Sequence, residues 1–233
     1  MAKKTMKHKT VRARQRGVNW TVIVGIGVVA LLLLAALLLW FPTNGDEAQP
    51  PAQAGLPAYC EQNPDNCVAT GAEAAPVTLL EIFDFACIHC RNFNQDVLPL
   101  LKSQYQESGQ VRFVSLPFAS RPDTLPASNA SLCANEQGAY FEYTDAVFRQ
   151  YGEPGYLSQA QLLQTAVSLN LDRDQFAACM DEGRYNILIS DNVGYAHSVG
   201  ISGTPNFFIN DIHVTGNQPE LIRQRIEMAL RNQ

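Results

Sequence analysis

Charge is scarce in this 233-residue sequence, at 17% of residues, and positive charge is scarcer still outside one short segment. Seven of the 17 Lys and Arg residues lie within residues 1–16. From Gly17 onward ten basic residues face 22 acidic ones, so the body carries a net charge of −12. Phosphate-backbone binding needs a basic face, and nucleic-acid recognition by the body is therefore excluded. The sequence also has no Gly-rich phosphate loop, no internal repeat and no Ser/His/Asp constellation that can be placed. Of its four histidines, His197 and His213 have no ligand-like neighbours and His8 lies in the basic head. What is present is apolar: 46% hydrophobic and 9% aromatic residues, enough for a packed core and incompatible with wholesale disorder. Six cysteines, an even number, fit an oxidising compartment.

The N-terminus supplies an address. Val22 to Phe41 is a run of 20 residues without charge. As a helix it would span about 30 Å, the hydrocarbon thickness of a bilayer. Trp20 and Trp40 bracket it, and Lys3, Lys4, Lys7, Lys9, Arg12, Arg14 and Arg16 precede it. Positive charge stays cytoplasmic, so the spacing predicts a single-pass anchor with its N-terminus inside and its body extracytoplasmic. The alternative is a cleaved signal peptide, whose apolar region usually covers about 7–15 residues. Ala52-Gln53-Ala54 resembles a cleavage site but lies far beyond the run. The expected organisation is a basic head (1–17), a signal-anchor helix (18–41), a Pro- and Ala-rich linker (42–57) and a domain over 58–233.

Within the domain, Val77–Phe83 is a mostly apolar run expected to form a buried strand. Helical spacing follows from Cys87 to about Tyr105, with a kink expected at Pro99 and a stop at Gly109. Val111–Val114 is a second strand, and this order predicts a right-handed βαβ unit. Residues 127–150 are expected to hold one long helix, followed by helices over Ser158–Leu169, Asp172–Glu182 and Tyr185–Val199. Two short strands, Asn206–Ile209 and Ile212–Val214, flank a turn at Asn210-Asp211, and Gln218–Arg231 closes the chain as an amphipathic helix.

The chemistry gathers at Cys87-Ile88-His89-Cys90. A C-x-x-C that follows a strand and opens a helix puts two sulfurs on one face of the first turn. The unsatisfied N–H groups and the helix dipole stabilise a thiolate at the first position. Cys87 is thus the candidate nucleophile, and Cys90, one turn in, the resolving thiol. His89 is placed to donate to the Cys87 thiolate, which favours the dithiol and makes the disulfide a stronger oxidant; otherwise it is a solvent-facing loop residue. Glu81, six residues before Cys87, is an acid inside an apolar strand. Buried, it would have a raised pKa and could pass a proton to and from Cys90; at an edge it would be solvated. Gly203-Thr204-Pro205 leads a late strand. A cis Thr204–Pro205 bond there would leave Thr204 backbone groups free to pair with an extended substrate. The pair Phe207-Phe208 reads as core.

This combination resembles the thioredoxin superfamily: strand, CxxC and helix, an acid upstream, and a late Gly-Thr-Pro before a hairpin and final helix. The helical insert, about residues 120–186, is similar to that of the DsbA-like thiol-disulfide oxidoreductases. Phe83-Asp84-Phe85-Ala86-Cys87-Ile88-His89-Cys90 resembles their active-site segment, and residues 131–141 resemble the start of their insert. The likeness covers residues 75–231. It implies an α/β thioredoxin fold with a helical insert, here behind a transmembrane helix. It also implies Cys87 as nucleophile, Cys90 as resolving thiol, Pro205 as cis-proline and Glu81 as buried acid. Members commonly have Pro after the first Cys, where this chain has Ile88.

With Cys87 and Cys90 as the redox pair, three pairings remain for the other four cysteines. Cys60 and Cys67 flank a turn at Asn63-Pro64-Asp65-Asn66, and Cys133 and Cys179 both fall on insert helices. The favoured bridges are therefore Cys60–Cys67 and Cys133–Cys179, the alternative for the latter being buried free thiols. A four-thiolate zinc site from Cys60, Cys67, Cys87 and Cys90 is disfavoured by the wide first spacing. No cofactor or metal is expected beyond the redox-active disulfide itself.

The function these residues suggest is oxidation of protein dithiols outside the cytoplasm. The partners would be substrate proteins with free thiols and, by resemblance, a quinone-linked membrane reoxidant of the DsbB or VKOR kind. The rivals are a reductase or disulfide isomerase on the same fold, and a tethered binding or chaperone module with an inert CxxC.

Overall fold

A computed structural model describes residues 55–233 of the chain. The expected head and membrane span at 22–41 lie outside the described residues. Among the described residues no helix is long and apolar enough to cross a membrane.

The chain opens with helix α1 (Gly55–Gln62), a short turn and strand β1 (Val68–Thr70). Strand β2 (Val77–Ile82) leads to a long helix, α2, over residues 88–106, and then to β3 (Val111–Leu116). Four insert helices follow: α3 (Leu125–Asn135), α4 (Tyr140–Arg149), α5 (Gln159–Ser168) and α6 (Arg173–Glu182). Helix α7 (Asn186–Ser198), strands β4 (Asn206–Ile209) and β5 (Ile212–Thr215) and helix α8 (Pro219–Arg231) complete the domain. The five strands are ordered β1-β3-β2-β4-β5. Only β2 and β3 run parallel; the other pairs are antiparallel.

Central β2 is buried on both faces, which is why it reads as an unbroken apolar run rather than an alternation. Leu79 packs with Phe93, Phe113 and Phe207 against α2 and α8. Leu80 and Ile82, one register position away, face Leu56, Phe208 and the α7 residue Ala196. A third cluster joins Phe83, Phe85 and Cys90 to the insert through Tyr143, Phe148 and Phe176. The strand therefore carries the active-site segment out of the middle of two apolar layers, which holds it rigidly.

Three expectations change, and one strand is unforeseen. The linker ends earlier than residue 57, because α1 begins at Gly55 and buries Leu56 completely. Strand β1, three residues long and at the sheet edge, had no pattern long enough to read. The helix expected over 127–150 is two helices: Gly138 takes φ +73° and Ala139 N–H closes the turn onto Ala134 O. Only glycine adopts that backbone without strain. Lastly, α2 does not simply kink at Pro99. It widens into π turns on both sides, at Phe93–Val97 and Lys102–Gln106, with Leu98 N–H bonding Phe93 O. The wider turn accommodates a proline ring that clashes with the carbonyl four residues back.

Candidate active site

The site forms where β2 ends. Asp84, buried at 2% exposure, organises the turn that follows. Its Oδ1 accepts from Ala86 N–H (2.8 Å), and its Oδ2 accepts from Ser120 N–H and the Thr124 hydroxyl, both at 2.7 Å. Its carbonyl accepts from Cys87 N–H at 3.1 Å. Cys87 thereby becomes the N-cap of α2 (first segment Ile88–Asn92), and its sulfur accepts from Cys90 N–H at 3.3 Å.

Both sulfurs are free thiols, and their environments differ sharply. Cys87 is half-buried. A hydrogen bond from the Cys90 thiol, aided by Thr204 and the backbone N–H groups of Cys90 and His89, lowers its pKa to about 6 against the opposing effect of burial. Cys90 is fully buried, and desolvation, with the Cys87 side chain added, pushes its pKa far up. The two sulfurs are thus biased in opposite directions, Cys87 toward the thiolate and Cys90 toward the thiol. Cys87 is the accessible sulfur and Cys90 the internal one, the arrangement that a nucleophile and its resolving thiol would need.

The structure brings the remaining expected residues together unequally. Thr204, in a loop 117 residues away, sets its carbonyl oxygen 3.4 Å from the Cys87 Sγ, where it accepts from the sulfur when Cys87 is protonated. The Thr204–Pro205 peptide is cis, with Pro205 buried beside β4. Glu81 is buried at 8% exposure, and desolvation pushes its pKa up to about 8, moderated by the Lys102 ammonium. It lines a cavity of about 20 Å³ with Phe83, Asn94, Leu98, Tyr140 and Thr144. Its Oε1 has no hydrogen-bond partner among the described residues. His89 behaves differently from the expectation of a donating imidazole. Its side chain is exposed and makes no hydrogen bond to Cys87 among the described residues; only its backbone N–H aids the sulfur. Helix geometry is the reason: at the second residue of α2 the ring points into solvent while the amide points along the axis.

Cys60 is bonded to Cys67, and Cys133 to Cys179. The first pair closes the α1–β1 turn and the second ties α3 to α6. Cys60 and Cys67 are therefore not available as zinc thiolates.

Three residues at the site had no signal in the sequence. Asp84 sits in an apolar segment where nothing local marks its bonds to residues 120 and 124. Tyr151 donates to Ala86 O and Tyr156 to Phe85 O, each at 3.2 Å, across 65 and 71 residues. Spacing arguments do not reach such distances.

A CxxC at a helix start beside a cis-proline, on a sheet of this order, defines the thioredoxin class. A family model described as thioredoxin matches residues 63–227, and the chain belongs to that family. Within it, the helical insert gives the domain the fold of solved DsbA structures. A putative protein-disulfide oxidoreductase of Rickettsia felis is 21% identical over 172 residues, covering 72% of this chain and 62% of that protein. The Na+/H+ antiporter NhaA 1 of Salinispora arenicola is 30% identical over 198 residues, covering 79% of this chain and 29% of that protein. The chain thus spans less than two thirds of the length of these curated relatives. The crystal structure of Chlamydia trachomatis DsbA superposes with a TM-score of 0.65 at 19% identity, covering 71% of this chain and 92% of that one.

Proposed function

We propose that the protein is a membrane-anchored, extracytoplasmic oxidase of protein dithiols. The observation that carries this reading is the opposed state of the two sulfurs: a stabilised thiolate at Cys87 over a desolvated thiol at Cys90. Stabilising the thiolate favours the dithiol form, so the disulfide form draws electrons from substrates.

The reaction has two exchanges. A substrate thiolate attacks Cys87 Sγ of the Cys87–Cys90 disulfide; the S–S bond breaks and Cys90 leaves, taking a proton. Glu81, buried and close enough for Cys87 to raise its pKa, which stands at about 8, supplies that proton. The second substrate thiolate then attacks the substrate sulfur of the mixed disulfide. Cys87 leaves as a thiolate, the substrate disulfide departs, and two electrons remain on the dithiol enzyme. Thr204 and Pro205 flank the exchanging sulfur and offer backbone to an extended substrate. A quinone-linked membrane protein of the DsbB or VKOR kind removes the electrons. The 20 uncharged residues over 22–41, behind seven basic ones, support the anchor and its orientation.

Reductase chemistry on the same fold is the second reading, favoured by one feature: Ile88, 44% exposed, stands between the cysteines where Pro is common in the family. The test is the Cys87–Cys90 reduction potential of the full-length chain against a glutathione series. A value near about −120 mV supports the oxidase. One near about −270 mV supports the reductase instead.

A further inference from the structure

The turn that presents Cys87 is held from outside the thioredoxin core, by the loop between α4 and α5. Gln150 anchors the base of this loop: its Nε2 donates to Thr165 Oγ1 at 2.9 Å, and its Oε1 accepts from Gln161 at 2.6 Å. Two consecutive backbone turns follow, with Glu153 N–H on Gln150 O (3.0 Å) and Tyr156 N–H on Glu153 O (3.2 Å). Gly152 at φ +88° and Gly155 at φ +71° make the reversals. The result sets the Tyr151 and Tyr156 rings 5.5 Å apart, with both hydroxyls aimed at the same short stretch of main chain.

We infer that Tyr151 and Tyr156 are positioning residues that tune the Cys87 sulfur by capping the two carbonyl oxygens immediately before it. The inference rests on reading Cys87 as the reactive thiolate. Phe85 O and Ala86 O carry partial negative charge next to the site where a full negative charge resides. A donor on each oxygen disperses that charge and fixes the peptide planes, so that the Cys87 and Cys90 N–H groups keep their directions. Asp84 accepts from the Ala86 N–H in the same turn and from the Ser120 N–H beyond it. The turn is thus bonded through both its carbonyls, by the tyrosines, and an amide, by the aspartate. The thiolate feels uncapped carbonyls more than a neutral disulfide sulfur does. Losing a tyrosine hydroxyl therefore destabilises the dithiol form selectively and makes the protein a weaker oxidant.

The test uses the full-length chain in detergent, with Tyr151→Phe, Tyr156→Phe and the double variant, which keep the rings and remove only the hydroxyls. Tyr195→Phe is the matched control, since the Tyr195 hydroxyl likewise donates to a backbone carbonyl, Gly55 O, away from the turn. Two quantities are read: the Cys87 pKa from thiolate ultraviolet absorbance, and the position of the glutathione equilibrium. Each active-site variant should raise the Cys87 pKa and shift the equilibrium toward the disulfide by about three- to tenfold, the scale of one hydrogen bond. Tyr195→Phe should move neither. Unchanged values in the double variant, or an equal shift in Tyr195→Phe, would overturn the inference. An ordinary thiol pKa for Cys87 in the parent chain would instead overturn the thiolate reading on which it stands.

Discussion

The carbonyl oxygen of Thr204 lies 3.4 Å from the sulfur of Cys87, although 117 residues separate them. Residues of β2 and β4 pair antiparallel from Leu79–Ile209 to Ile82–Asn206, and this register sets the loop before β4 beside the turn after β2. The Thr204 hydroxyl also stabilises the Cys87 thiolate. Thr204→Val should therefore raise the Cys87 pKa from about 6, while Thr204→Ser should keep it. Alkylation rate against pH reads this directly; equal profiles for both variants would remove Thr204 from the thiolate's support.

The asymmetry of the two sulfurs predicts different products. Cys87→Ala should abolish dithiol oxidation, since Cys90 is buried and cannot meet a substrate. Cys90→Ala leaves the accessible sulfur without its resolving partner and should accumulate mixed disulfides. Non-reducing electrophoresis with a thiol peptide separates the two; an active Cys87→Ala protein would end the proposed mechanism.

Burial raises Glu81 from 4.5 to about 8 in the folded protein. The folded state then holds this proton more tightly than the unfolded chain does. Its effect on stability is most favourable below the unfolded value of 4.5 and is lost as pH rises through about 8. The loss amounts to about 5 kcal/mol between those limits. Denaturant unfolding of the disulfide form, where Cys87 does not titrate, should show a decline across that window that Glu81→Gln flattens. A parallel decline in the variant would place the pH dependence elsewhere.

The Cys133–Cys179 bridge closes a sequence separation of 46 residues between two fully buried positions. Replacing both by Ala should lower stability by about 2–5 kcal/mol, with the redox pair still titratable. Chemical denaturation measures the first and thiol labelling the second.

Asn192, fully buried on α7, ties the N-terminal segment to the core. Its Nδ2 donates to Asn66 O and Pro117 O at 3.0 Å each, and its Oδ1 accepts from the Tyr59 hydroxyl at the same distance. Asn192→Leu leaves those groups unpartnered and should cost about 1–3 kcal/mol. Proteolysis near residues 60–67 should accelerate with it; an unaltered cleavage rate would argue that α1 is held by Leu56 packing alone.

Much of the active centre was legible from local pattern. An apolar strand followed at once by Cys87-Ile88-His89-Cys90, and a distant Gly203-Thr204-Pro205, are short-range signals because helix starts and strand starts are decided by neighbouring residues. Insert helix starts at Ser158 and Asp172 were readable for the same reason, and the side chains of both do cap. Breaks were harder. Pro99 marks a helix defect but not whether the chain kinks or widens into π turns, which depends on what the helix packs against.

The sequence by itself determined the two-sulfur chemistry, which rests on spacing over a few residues, and the thioredoxin order and the insert were legible through resemblance to a known family. Tertiary structure decided the rest. It buried Glu81 beside Lys102, and set Asp84, Tyr151 and Tyr156 around the Cys87 turn. Those outcomes depend on electric fields and hydrogen bonds between groups up to 71 residues apart. Such contacts exist only once the chain has closed, so no periodicity along the sequence records them.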